Sequence, residues 1–460
     1  MFVLLKEILS AFPGIEVPKE QQGISVSGKG NLSSWFEVTD LAAASIASAG
    51  LMLSRFAEPS SNPPLKTDDL IQVDQRLASF WFGMTLRPMG WELPPAWDPI
   101  AGDYRTKDGW IRLHTNAPLH RFAALSVLGQ YNDRAALESI VAKWEADNLE
   151  AAIVEANGCA AVMRDLTTWA QHPQGLAVSQ EPLIIWASHG EREKKALSTD
   201  PKRPLAGIKV LDLTRVLAGP VAGRFLAAYG ADVLRIDPPI WEEAGIIPEV
   251  TLGKRCAGLN LNNTDDRQIF ESLLAEADVF LHGYRPEALS NLGYDRETLR
   301  KINPDIIDVS LNAYGWSGPW SNRRGFDSLV QMSSGIAEYG MRKSGANKPV
   351  PLPVQALDHA AGYLLASAVL HALNENRLSG KILSARLSLA RVAHLLVQSK
   401  RSTLSEGLSP ETPADIASKI EETSWGPAQR VKFPLAIKGI PSTWSYPASA
   451  LRSSAPVWLG

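Results

Sequence analysis

Residues 204–239 read PLAGIKVLDLTRVLAGPVAGRFLAAYGADVLRIDPP, and the fold follows from this stretch. IKVLDLT (208–214) is an apolar run of strand length, RVLAGP turns the chain, and VAGRFLAAYG (221–230) has helical spacing and closes on Gly230, a glycine cap. ADVLRID (231–237) reads as a second strand. The same grammar continues with a helix over 268–277, a strand over 278–284, short helices over 286–293 and 296–302, and a strand over 305–314. Strands alternating with helices predict an α/β fold with a parallel sheet covered on its faces. Such sheets bind ligands beyond the carboxyl ends of their strands, where the strand order reverses. The loops after 214, 237, 284 and 314 are therefore where a site is expected.

The chain has 460 residues, beyond the roughly 250–300 at which one hydrophobic core stops growing, so two or three domains are expected. Residues 188–204 (SHGEREKKALSTDPKRP) are polar, charged and proline-bearing and read as a linker; 403–418 read as a second, looser one. Before them come an amphipathic helix in 1–12, a helix over 40–57, a strand-to-helix segment over 71–86 and a hairpin over 104–115 turning at Lys107-Asp108-Gly109. Helices are expected over 118–130, 133–146, 149–156 and 163–171. An internal repeat is visible: VTDLAAASIASAGLMLSRF (38–56) lies over ALDHAAGYLLASAVLHAL (356–373), with Asp40 opposite Asp358, and IQVDQRLASF (71–80) lies over LSARLSLARV (383–392).

Composition excludes several classes. A formal net charge of -3, with 45% hydrophobic and 21% charged residues, offers no basic face for nucleic acid. Cys159 and Cys256 stand far apart without CxxC spacing, and the eight histidines form no ligand motif, which argues against disulfides and metal and fits a reducing compartment. No apolar run reaches the roughly 18 residues of a membrane span, and 1–12 lack a cleavage site. Cytosol is the expectation, with no membrane partner.

Asp358 opens a long alanine-rich helix. An aspartate there serves as an N-cap, accepting from free backbone N–H groups. The same helix end also favours an ionised carboxylate able to attack an activated acyl group. Spacing leaves both readings open. GKR (253–255) reads as a loop with two exposed cations, and His359, about 100° round the helix from Asp358, as a bystander.

The run 204–239, GKR, YRPEALSNLGYDRETLRKINPDIIDVSLNAYGWSGPW (284–320) and GFDSLVQMSSG (325–335) resemble, in that order, the family III CoA transferases (the CaiB/BaiF group, formyl-CoA transferase-like), whose relatives include the α-methylacyl-CoA racemases. The resemblance is near-continuous over 204–373. Residues 38–187 resemble the back half of that family, including its small domain (YRTKDGW, WAQHPQG), and 425–460 its closing segment, so the order of the parts is rearranged. The resemblance implies a Rossmann-like parallel-sheet large domain with a smaller α+β domain. The divisions are a helical segment (1–94) like the back part of the large domain, a small domain (95–187), a linker (188–204), a CoA-binding large domain (205–402), and a linker with tail (403–460).

Residue by residue, the resemblance implies Asp358 as the catalytic carboxylate. It puts Val216, Leu217 and Ala218 in the turn at adenine and ribose, and Lys254 and Arg255 near the phosphates. Gly283, Tyr284 and Arg285 fall in the pantetheine loop, and Arg324 and Asp327 beside the thioester. Pro238 and Asn291 stand where formyl-CoA transferase-like members carry arginines. Racemases have histidine where this chain has Phe326, and proton exchange at both faces of a carbon needs two titratable groups. The expected activity is therefore transfer of CoA from an acyl-CoA to a carboxylic acid through an aspartyl anhydride and thioester. CoA thioester is the substrate, no ATP, metal or other cofactor is needed, and a homodimer, interlocked as in the family, is implied. The alternatives are a catalytically degenerate CoA-binding subunit and an acyl-CoA racemase or isomerase.

Overall fold

A computed structural model describes residues 1–15, 23–57, 71–131, 133–193, 200–401, 403–404 and 406–459. Its centre is a seven-stranded sheet: β1 (Ile185–Glu191), β2 (Lys209–Leu213), β3 (Asp232–Asp237), β4 (Arg255–Gly258), β5 (Val279–His282), β6 (Ile307–Asn312) and β7 (Lys381–Ser388), in the order β4-β3-β2-β5-β6-β7-β1. All neighbours are parallel except β1, which runs antiparallel to β7. β5 and β6 are buried throughout, as strands covered on both faces are. The chain proceeds outward from β2 to β3 and β4, then returns to the other side of β2 with β5. The order thus reverses between β2 and β5.

Seven helices position the site and its counterpart in the repeat: α1 (Val38–Ala57), α2 (Gln75–Trp81), α3 (Pro118–Leu128), α4 (Ala218–Ala228), α5 (Asp327–Ser333), α6 (Ala356–Ser379) and α7 (Leu389–Val397). α4 follows β2 and is buried along its whole length. α6, the core helix of the molecule, packs on both α4 and α1. Two glycines permit close packing at the start of α4. A Cβ on Gly219 would collide with the Thr214 side chain, and one on Gly362 would lie 2.5 Å from the Ala218 carbonyl oxygen. By length and composition α6 also resembles a membrane span, contrary to the expectation that no stretch does; the whole of that window is buried inside the fold.

The repeat is visible in three dimensions. α1, the strand Ile71–Asp74 and α2 follow one another as α6, β7 and α7 do. Ile71–Asp74 has a parallel neighbour (Ile24–Ser27) on one side and an antiparallel one (Leu435–Ile437) on the other, as β7 has β6 and β1. Asp74 and Ser388 cap the two second helices in the same way. The caps align two residues away from the register that the sequence suggests. α1 and α6 touch through the Ser48 and Ser367 hydroxyls, 3.1 Å apart.

A separate antiparallel sheet of Gly102–Arg105, Trp110–Leu113 and Ala160–Val162 carries α3 and the helices Arg134–Val141 and Ala146–Glu155, with its own apolar core around Ile111, Leu137 and Ile153. The hairpin turns where the sequence predicts. One expectation is corrected. The start of the expected linker 188–204 is sheet: β1 extends to Glu191, which pairs with Lys381, and only 194–199 lie outside the described residues. The final residues, expected as a tail, take part in sheets. Gly426–Arg430 pairs with Leu86–Pro88, and Leu435–Ile437 with Ile71–Val73, so they complete sheets begun near the amino terminus.

Candidate functional site

A cavity of about 350 Å³ opens at the carboxyl ends of β2, β5 and β6, at the reversal of strand order. The turn after β2 forms one wall (Thr214, Arg215, Val216, Ala218, Gly219), and the loop after β5 a second (Gly283, Tyr284, Arg285). Arg323, Arg324, Gly325 and Phe326 after β6 form a third, and Leu119 and His120 from α3 close the cavity from the small antiparallel unit. Asp358 is the one carboxylate among the lining residues.

The turn after β2 is held under strain. Val216 has φ 63°, a left-handed conformation that branched residues avoid. Its N–H donates to Glu243 Oε1 at 2.6 Å, and the other oxygen of Glu243 accepts from Arg235 at 3.0 Å. This anchor turns the backbone toward the cavity and starts α4 there.

Asp358 is the third residue of α6 and 7% exposed. It does not cap the helix: no hydrogen bond to its carboxylate is found among the described residues. The cap comes from Asp327, whose Oδ2 accepts from the N–H groups of Leu357 (2.8 Å) and Asp358 (2.9 Å) while Gln331 donates to Oδ1. Burial first, and then the Asp327 charge, pushes Asp358 well above the usual carboxylate range. Burial also pushes Asp327 up, to about 6, against the hydrogen bonds that favour its charge. Asp327, with three donors aimed at it, keeps the negative charge; Asp358, with none, carries the proton when only one of the pair is ionised.

The other charged groups of the lining are arginines. The guanidinium of Arg215 lies between Trp241 (4.8 Å) and Tyr284 (5.2 Å) and donates to the Tyr284 hydroxyl at 2.8 Å. Arg285 donates to the Asn322 carbonyl at 2.8 Å; burial and the nearby Arg324 make its charged form less favourable than usual. Arg324 donates to the Asn157 side chain at 3.0 Å. Arg323 is neutralised by Glu150 at 3.0 Å, whereas none of Arg215, Arg285 and Arg324 has a carboxylate within ion-pair distance among the described residues. These three are the groups that can hold a polyanionic nucleotide.

The structure thus gathers Asp358, Val216, Ala218, Gly283, Tyr284, Arg285 and Arg324 around one cavity. Leu217 is buried at the start of α4, and Asp327 is sealed behind Asp358. Lys254 and Arg255 are not gathered, and they are not the exposed cations of a loop. Lys254 is buried with its Nζ 2.8 Å from Asp212, and burial lowers its affinity for a proton. Arg255 begins β4, pairs with Asp232 at 2.9 Å and donates to the Val457 carbonyl. Pro238 lines a small adjoining recess that shares Leu213, Arg215 and Tyr284 with the main cavity. His359 points away and stacks on Phe82 at 5.1 Å. Sequence reasoning misses Arg215, Trp241 and His120. Of these Arg215 alone has a signal, as the second residue beyond the end of β2, in a turn where a site is expected. Among the described residues no group of His, Cys, Asp and Glu is arranged to hold a metal ion.

Residues 205–418 match the CoA-transferase family III. The chain is 35% identical over 200 residues to the acetyl-coenzyme A transferase nodX of Hypoxylon pulicicidum, a stretch covering 42% of this chain and 33% of that protein. It is 34% identical over 197 residues to a protein of Mycobacterium tuberculosis named a probable fatty acyl-CoA transferase, covering 40% of this chain and 50% of that one. A crystal structure of the latter gives a TM-score of 0.38 at 35% identity over 42% of this chain and 56% of that chain. The chain spans a third to about half the length of these curated relatives.

Proposed function

From a chain whose residues 205–418 match the CoA-transferase family III, we propose that the protein moves CoA from an acyl-CoA to a carboxylic acid, with Asp358 as the nucleophile. One observation carries the reading: a single carboxylate, without a hydrogen-bond partner among the described residues, lines a cavity whose other charged groups are arginines. The phosphates of CoA suit Arg215, Arg285 and Arg324, and the thioester end belongs at Asp358.

In this mechanism the ionised form of Asp358 attacks the thioester carbonyl carbon through one carboxylate oxygen. The new C–O bond forms, the C–S bond breaks, and CoA leaves as thiolate, giving an aspartyl–acyl anhydride. The thiolate then attacks the aspartyl carbonyl, frees the donor acid as a carboxylate and leaves an aspartyl-CoA thioester. The acceptor carboxylate repeats the sequence in reverse. Charge is conserved at every step and the thioester bond is never hydrolysed, so the proposal asks for no ATP, metal or other cofactor. Each chain supplies Leu119 and His120 to its own cavity, so the proposed homodimer is not needed to close the site. Soluble CoA esters and acids in the cytosol, with no nucleic-acid or membrane partner, complete the proposal.

The test is peptide mass spectrometry after incubation with a panel of acyl-CoAs, with hydroxylamine to trap anhydride or thioester. A hydroxamate on the peptide containing residue 358, absent from Asp358→Ala, is the expected result. CoA binding with no adduct from any donor would leave a degenerate binding subunit as the better reading.

A further inference from the structure

His120 lies far from Asp358 in sequence and on a different unit of the fold, yet both line the same cavity. It occupies the first turn of α3 and is 9% exposed. Neither ring nitrogen has a hydrogen-bond partner among the described residues, and Nδ1 is sealed from solvent. A buried imidazole without partners gives up hydrogen bonds that water would supply, and a group absent from the free protein can restore them.

Its position is set by the residues that also set the nucleophile. Phe326 stacks on His114 at 3.9 Å and meets His120 edge-on at 5.6 Å. The next residue, Asp327, holds the first N–H groups of α6. One dipeptide thus fixes the imidazole on one side and the helix bearing Asp358 on the other. The ring is neutral at working pH: burial, with Arg324 nearby, lowers its pKa to about 4. A neutral imidazole has one N–H to donate and no charge to lose.

We propose that His120 is a further catalytic residue, donating a hydrogen bond to the acyl carbonyl oxygen of the substrate as Asp358 attacks it. This rests on the transferase reading above. When the aspartyl C–O bond forms, negative charge moves onto that oxygen. It returns when the C–S bond breaks and thiolate departs. His120 keeps its proton throughout, and the bond it makes is strongest at the tetrahedral stage, which is where a donor accelerates the reaction.

The experiment compares wild type, His120→Ala and His120→Gln for the rate of hydroxylamine-trapped adduct formation at Asp358 under single-turnover conditions. Acetyl-CoA and a longer-chain acyl-CoA are the probes, and the affinity for CoA and the melting temperature are measured alongside. His120→Ala is expected to slow adduct formation about 10²–10³-fold with CoA affinity within about threefold, and His120→Gln, which keeps an N–H donor, to recover at least about tenfold of that loss. Adduct formation in His120→Ala at the wild-type rate overturns the proposal. So does a slowed His120→Ala that glutamine does not rescue, because loss of packing alone predicts that pattern. A wild type that forms no adduct with any donor removes the transferase reading itself, a failure distinct from either of these.

Discussion

In α1 the third residue is Asp40 and in α6 it is Asp358, and each helix runs through small residues into a strand and a second, capped helix. Asp40 is 27% exposed, 2.6 Å from the backbone nitrogen of Met1. Asp358 is buried at a cavity lined by a turn, a loop and four arginines. The difference lies in what packs on each helix end. α6 has Gly362, where any Cβ would lie 2.5 Å from the start of α4, and Asp327 to satisfy its first N–H groups. In the register of the repeat, α1 has Ala44 at the place of Gly362, and among the described residues its sheet has three strands with no counterpart of β2 and its strained turn. A carboxylate at a helix start is common; a cavity that withholds every donor from it is what makes the position chemical.

The largest effect that can break this comparison is on turnover. Asp358→Asn should lower CoA transfer by at least about 10⁴-fold, since a lost nucleophile leaves only binding and orientation, while Asp40→Asn should leave it within about twofold. Steady-state kinetics on both variants decides it, and equal losses at the two sites would end the distinction. Next comes the helix contact. Gly362→Ala forces a Cβ to 2.5 Å from the Ala218 carbonyl oxygen and 2.7 Å from Val221. Overpacking at a backbone contact should cost about 1–3 kcal/mol in denaturant unfolding and reduce transfer with it, because α4 carries the turn that lines the cavity. The reciprocal Ala44→Gly should cost only about 1 kcal/mol, the helix penalty of glycine, with transfer unchanged.

What the sequence discloses, and what it withholds, tracks the range of the interactions. The strands and helices of 204–314 are legible because their periods and caps are local, and so is the expectation that the cavity sits beyond strand ends. The role of Lys254 and Arg255 is not legible. Whether a cation after a glycine faces a ligand or the core depends on Asp212 and Asp232, which reach it only through the order of the strands. The end of β1 reads as linker because SHGE (188–191) carries little apolar signal, as an edge strand with exposed residues need not. Asp358 stands out through its helix start and the family resemblance. That Asp327 caps the helix in its stead needs the fold, and His120 gives no signal because a separate sheet delivers it.

A subtler way to sharpen the comparison is to change the neighbour of the nucleophile. Asp327→Asn keeps an oxygen for the N–H groups of Leu357 and Asp358 but removes the negative charge that opposes ionisation of Asp358. In wild type, single-turnover adduct formation should rise with pH as Asp358 ionises, with its midpoint above the ordinary carboxylate range. In Asp327→Asn that limb should move to lower pH. A limb that stays in place would mean that burial alone sets the ionisation, and a limb that moves upward would reverse the assignment of the shared charge.

The smallest expected effect is on stability, and it carries a sign. Because the folded protein holds a proton on Asp358 more tightly than the unfolded chain does, the contribution of this group is complete below the unfolded pKa of about 4 and is lost as pH rises toward the folded value. Asparagine cannot ionise and escapes that loss. Asp358→Asn should therefore melt with wild type near pH 4 and about 1–3 °C above it near pH 8, while abolishing transfer. Asp40→Asn, at the exposed counterpart, is the reference. A stabilisation that appears equally at both pH values would trace to packing and not to the buried charge, and one matched by Asp40→Asn would show that the enclosure of Asp358 has no energetic counterpart.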